Sequence, residues 1–193
     1  MQAGLLDSTL PTLQRCDRNN KGATVGASPY CYFTPYKADI QAALDALRER
    51  EFKAGRYDPA MRMASPPAYM FEFTFPLDET VPAPGAQHAS IDEAVEASAE
   101  SGTRSILDIM RVSTTPDFSA ASPLDADDLV RLFGTAEPTR EIVQRVLING
   151  EQPFDGDPDE DFWDQIERGQ GRYVVTYAGS EPREIFFAGF SWD

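Results

Sequence analysis

Residues 154–172, FDGDPDEDFWDQIERGQGR, contain the residue types that most resemble a site of chemistry. Alternating carboxylates are calcium ligands, but a calcium loop also needs glycine at its sixth position and glutamate at its twelfth. A loop that begins at Asp155 has Glu160 and Ile166 at these positions, and a loop that begins two residues later fails at the same two places. The run therefore does not predict a calcium site.

The same run has the features of a helix start. Asp157-Pro158-Asp159-Glu160 offers a capping acid, a proline at the first helical position and a glutamate three residues after the cap. Acids in a first turn also interact favourably with the helix dipole. We predict a helix that begins after Asp157, buries Phe162, Trp163 and Ile166, and ends at Gly169.

Cysteine and histidine are scarce, which limits metal and nucleophile chemistry. Cys16, Cys31 and His88 have neither C-x-x-C nor H-x-x-x-H spacing, so we predict no metal and no cofactor. A nucleophilic pair of Cys31 with His88 stays open, because spacing does not exclude proximity in the fold. With one possible disulfide and no basic leader, the sequence favours reduced cysteines and a cytoplasmic location.

Catalysis by carboxylates is a further alternative. It needs two acids about 5–10 Å apart across a cleft. The chain has 32 acidic residues, so neighbouring pairs are expected by chance. The sequence has no nucleophile elbow or phosphate-binding loop, and Gly169-Gln170-Gly171 follows a predicted helix and precedes a predicted strand, the reverse of a dinucleotide loop. A carboxylate-based hydrolase or transferase remains an alternative without an assigned catalytic residue.

The net charge of −15 is unevenly distributed. Residues 1–64 hold nine basic and seven acidic residues, whereas residues 65–193 hold eight basic and 25 acidic residues. Such a surface repels phosphate backbones, which disfavours nucleic acid as a partner. No run of about 18 apolar residues predicts a membrane span. The charge suits a basic protein partner.

The elements that position these residues are predicted from periodicity and capping. The predicted strands are Tyr30–Phe33, Tyr69–Phe75, Arg104–Val112, Arg172–Tyr177 and Arg183–Phe190. The predicted helices begin after Asp39, Ser90, Asp125 and Asp157 and at Pro138. This order predicts a single α+β domain at residues 29–193, with about five helices on a mixed sheet of about five strands that includes a C-terminal hairpin. Residues 1–28 are polar and aperiodic, which predicts an N-terminal arm or extension.

The predicted partner-binding residues come from the acidic run and the aromatic C-terminus: Asp155, Asp157, Asp159, Glu160, Asp161, Trp163, Asp164, Phe190 and Trp192. Aromatic residues among acids make good contact points. For Phe190 and Trp192 the sequence favours burial in the core, and their exposure to a partner requires the last strand to lie at an edge of the sheet.

From these observations we predict a small acidic protein-interaction domain that binds a basic protein partner as an inhibitor or immunity protein does. One alternative is an accessory subunit that uses the N-terminal arm in a larger assembly. The other is the carboxylate-based enzyme. No motif in the chain indicates a known family, and the sequence does not indicate an oligomeric state.

Overall fold

The computed structural model describes residues 27–61, 83–151 and 162–192. They form one mixed five-stranded sheet with helices packed on both faces, which confirms the predicted α+β class and the C-terminal hairpin. The predicted strand Tyr69–Phe75, the start of the helix predicted at Asp157 and residues 1–26 of the predicted arm lie outside the described residues.

The strands, in chain order, are β1 (Pro29–Pro35), β2 (Arg111–Val112), β3 (Ala120–Pro123), β4 (Gln170–Ala178) and β5 (Glu181–Phe190). Their order across the sheet is β1-β5-β4-β3-β2. β5 is antiparallel to both of its neighbours, and β4, β3 and β2 run parallel to one another. The last strand of the chain is therefore in the interior of the sheet and not at an edge.

Four α-helices fall within the described ranges, compared with about five predicted for the whole chain. They are α1 (Ile40–Ala54), α2 (Ile91–Ala97), α3 (Ala126–Phe133) and α4 (Arg140–Val143), and α4 continues as a π-helical turn, Gln144–Ile148. Short 3-10 turns occur at Ile106–Asp108 and Phe162–Gln165.

Side-chain caps fix the starts of these helices. The predicted caps of α1, α2 and α3 are confirmed, since Asp39, Ser90 and Asp125 each accept a hydrogen bond from a backbone N–H three residues on, at 2.8–3.1 Å. The predicted start of the next helix at Pro138 is wrong by two positions, because α4 begins at Arg140. Thr139 caps α4 instead, because its hydroxyl accepts from the Ile142 N–H.

The predicted strand Arg104–Val112 is wrong over most of its length. The Thr103 N–H and hydroxyl donate to the buried Asp108 carboxylate at 2.7 and 2.8 Å, and Ser105 caps the 3-10 turn that follows it. These local bonds compete with strand pairing, so only Arg111–Val112 remains as a strand. The sequence does not predict β3, because Ala-Ala-Ser-Pro lacks the β-branched and aromatic residues typical of strands.

Alternation along β1 divides the core between the two faces of the sheet. Tyr30 and Tyr32 lie on the face covered by α1, whereas Cys31 and Phe33 lie on the face covered by α3 and α4. A third buried cluster joins α2 to the end of α1 through Phe52, and the half-buried Trp192 packs against it. The sheet is thus the middle layer of three.

Candidate functional site

Five of the nine predicted partner-binding residues lie outside the described residues: Asp155, Asp157, Asp159, Glu160 and Asp161. Of the remaining four, Asp164 is exposed, Trp192 is half-buried, and Trp163 and Phe190 are buried. The structure does not bring these four residues together into one surface.

Trp163 and Phe190 belong to the core. They are only 5% and 7% exposed, and their rings meet edge to face with centroids 5.7 Å apart. The Trp163 indole N–H also donates to the Leu147 carbonyl at 2.9 Å. The prediction that they contact a partner from the surface is wrong for these two residues, because both rings are buried between the sheet and the helices α3 and α4.

Trp192 instead takes part in an exposed aromatic surface that sequence reasoning missed. Its ring lies 5.4 Å from that of Phe118, which is 55% exposed. Gly169 lies under both rings, and Met110, also exposed, bonds through its N–H to the Ser119 carbonyl next to Phe118. We call Met110, Phe118, Gly169 and Trp192 the Phe118 surface. It lies at the end of the sheet where β2, β3 and β4 begin and β5 ends.

The loop that carries Phe118 is braced on both sides. Arg111 forms an ion pair with Asp117 and donates to the Phe118 carbonyl at 3.2 Å, while Asp117 accepts from the Phe118 N–H at 2.8 Å. The Ser119 N–H donates to the Gly169 carbonyl at 2.7 Å. These bonds fix the backbone on either side of Phe118, so the exposed ring is presented by an ordered loop.

Close approach at Gly169 helps to form this surface. A Cβ at this position would lie 2.4 Å from Cε2 of Phe118 and 3.0 Å from Cδ1 of Trp192, and the residue has a φ of +70°. Both the space and the backbone conformation therefore require glycine. Phe118 and Trp192 pack directly on the Gly169 backbone as a result.

The C-terminal end of α2 adjoins the Phe118 surface and is acidic. Gly102, five residues after the end of α2, is close enough to Trp192 that a Cβ on it would lie 3.0 Å from the Trp192 backbone nitrogen. Glu96 and Glu100 are exposed there, and neither carboxylate forms a hydrogen bond or ion pair within the part of the chain that the structure describes. Carboxylates at a helix C-terminus face the negative end of its dipole, so the helix itself does not favour them.

The pair of Cys31 with His88 is not a nucleophilic pair in the structure. Cys31 is disulfide-bonded, which corrects the expectation of reduced cysteines; the other cysteine of the chain, Cys16, lies outside the described residues. His88 shares a hydrogen bond of 2.9 Å with the Tyr57 hydroxyl, whose pKa is raised by burial. Cys31 has no thiol to activate, and the His88 contact holds its loop against Tyr57.

The described residues give little support to catalysis by carboxylates. Glu141 has a lowered pKa, but the causes are hydrogen bonds from its own backbone N–H and from the Thr139 hydroxyl at the start of α4. In residues 27–61, 83–151 and 162–192, no group of three or more His, Cys, Asp or Glu residues is placed to hold a metal ion. No helix in these ranges is both long enough and apolar enough to cross a membrane.

One signal in the sequence could have pointed to Phe118. It is a large aromatic residue in the polar, proline-containing loop STTPDFSA, with no apolar neighbour to give it a periodicity. Such a residue has no predicted core face to join. Comparisons of this chain with protein-family models, with curated proteins and with solved structures find no match.

Proposed function

We propose that this chain is an acidic protein-interaction domain that binds a basic protein partner through the Phe118 surface. The observation that carries the proposal is the 55% exposure of Phe118 on a loop held by Arg111 and Asp117. An apolar ring in water is unfavourable, and its burial against a partner recovers that free energy. An ordered loop also lowers the entropic cost of binding.

The chemistry of the surface agrees with that of known interfaces. Aromatic residues and methionine are enriched where proteins meet, and a few aromatic anchors commonly dominate the binding energy. The net charge of −15 would steer a basic partner toward the domain and discourage acidic ones. A protein that covers a basic surface in this way would act as an inhibitor or immunity protein does.

Site-directed photo-crosslinking in the native cell tests the proposal. Benzoylphenylalanine is introduced at position 118 and, as the control, at position 130 on α3, where Val130 is 47% exposed outside the Phe118 surface. We expect position 118 to crosslink to one basic protein that position 130 does not capture. Equal crosslinking patterns from the two positions would contradict the proposal, and so would a crosslinked partner that is acidic or is a second copy of the chain.

A further inference from the structure

The partner can be described more closely, on the basis of the proposed function. We infer that the segment that contacts the Phe118 surface is rich in lysine and arginine and also lies across the C-terminal end of α2, opposite Glu96 and Glu100. The interface would then combine an aromatic anchor with two carboxylates on one side of it. Three features of the described residues support this arrangement.

The first is that the fold makes no use of these carboxylates. Asp92 and Glu93 lie in the first turn of α2, where negative charge is favourable, and the Glu93 carboxylate accepts from the Ala89 N–H at 2.8 Å. Glu96 lies at the opposite end, and α2 has no basic residue in its last turn. A cationic partner segment would supply the positive charge that this end of the helix lacks.

The second feature is continuity. Trp192 packs against the cluster that contains Ala94 and Val95 of α2, while its ring also contacts Phe118. One half-buried side chain therefore joins the acidic helix end to the exposed aromatic ring. A segment that covers Phe118 and Trp192 would lie beside this end of α2, and charges act over about 10 Å at ordinary salt.

The third feature is the way in which Trp192 is held. Its indole N–H is enclosed without an acceptor in the described part of the chain, so no hydrogen bond fixes the ring. Packing on Phe118, on Gly169 and on the cluster at α2 sets its orientation. The ring can therefore adjust to a partner without the loss of a hydrogen bond.

Two dye-labelled synthetic peptides of 16 residues serve as probes, one of alternating lysine and leucine and the other of alternating glutamate and leucine. Affinity is measured by fluorescence anisotropy at low and at moderate salt. The test protein is Glu96→Gln/Glu100→Gln. Its matched control is Glu137→Gln/Glu181→Gln, which removes the same charge from exposed positions at the opposite end of the sheet.

We expect the lysine peptide to bind and the glutamate peptide not to bind. Loss of Glu96 and Glu100 should weaken binding about threefold to tenfold and reduce its salt dependence, whereas the control pair should change it less than about twofold. Equal effects of the two double variants, or equal binding of the two peptides, would overturn the inference.

Phe118→Ser separates this inference from the proposed function. If Phe118→Ser weakens lysine-peptide binding while the two double variants behave alike, the aromatic surface stands and the α2 contact is wrong. If Phe118→Ser has no effect on either peptide binding or the native crosslinked partner, the proposed function itself fails.

Discussion

Single residues decide which aromatic side chains hold the fold and which face solvent. Trp163 and Phe190 are enclosed in the core beside α3 and α4, whereas Phe118 lies on a braced loop with Trp192 and Gly169 beside it. The sequence predicts that Trp163 docks its helix, but it cannot show that Phe118 lies over Gly169. That contact joins residues 51 positions apart, and only the pairing of β3 with β4 brings them together.

Buried charge at the end of α1 gives a direct test of stability. Glu51 is fully buried, and its carboxylate accepts from Arg56 Nε at 2.7 Å and from Arg50 Nε at 2.8 Å. Glu51→Gln should lower the free energy of unfolding by about 3 kcal/mol, at the lower end of the range for broken buried pairs, because Arg50 retains access to water.

Chemical denaturation measures this loss, and the same helix provides the control. Glu49 pairs with Lys53 on the solvent-exposed side, so Glu49→Gln should cost about 0.5 kcal/mol or less. Similar losses for Glu51→Gln and Glu49→Gln would show that the buried pair has no special role.

Two buried tyrosines predict the behaviour of the domain at alkaline pH. Burial and the nearby Asp108 raise the pKa of Tyr30 well above the usual value. Burial and the nearby Glu51 do the same for Tyr32. As the pH rises, these tyrosines therefore ionise in the unfolded chain at a lower pH than in the folded domain. Their contribution to the free energy of unfolding is complete below about pH 10 and is lost as the pH rises above it.

Denaturant midpoints measured between pH 8 and 11 test this prediction. The wild-type midpoint should fall steeply above about pH 10, and Tyr32→Phe should fall less steeply, because its ring stays buried without a hydroxyl to ionise. The prediction is wrong if the two proteins lose stability in parallel across this range.

At the scale of elements, both edges of the described sheet are protected. Ser28 and Tyr36, which flank β1, hydrogen-bond to the side of β5, so the odd-numbered residues of β1 face the open edge. Two of these, Pro29 and Pro35, have no N–H to offer another strand. At the other edge the Gln41 side chain takes the place of a neighbouring strand, since its carbonyl accepts from the Val112 N–H at 2.7 Å.

Gln41→Leu should open this second edge. The Val112 N–H would lose its acceptor, so its amide hydrogen exchange should become much faster, and the free energy of unfolding should fall by about 1–2 kcal/mol. Exchange measured by NMR at Val112, with Val175 in the middle of β4 as the internal reference, checks this. Unchanged protection at Val112 would mean that Gln41 does not hold the edge.

Helices were easier to predict than strands for a physical reason. The starts of α1, α2 and α3 depend on a cap and a backbone N–H three residues away, so the sequence contains the whole signal. β2 and β3 have only two and four residues, and β3 pairs with the distant strand β4. Local hydrogen bonds of Ser105 and Asp108 decide where β2 begins, and the pattern of apolar residues in the sequence does not indicate these bonds.

At the scale of the whole molecule, a compact three-layer core coexists with a large negative charge. The hydrophobic clusters on the two faces account for the stability of the sheet, whereas exposed acids such as Glu96 and Glu100 contribute nothing evident to it. Charge of this kind acts on association rates and on the choice of partner. The surplus acids and the Phe118 surface are therefore the features that we assign to function.

The central claim, that the Phe118 surface binds a basic protein, is tested most directly by the affinity of Phe118→Ser for the crosslinked partner, measured beside that of Val130→Ser. Both side chains are about half exposed, so both variants should keep the melting temperature of the wild type. The account predicts that Phe118→Ser weakens binding about tenfold or more, while Val130→Ser binds within about twofold of the wild type. Wild-type affinity in a folded Phe118→Ser protein would contradict it.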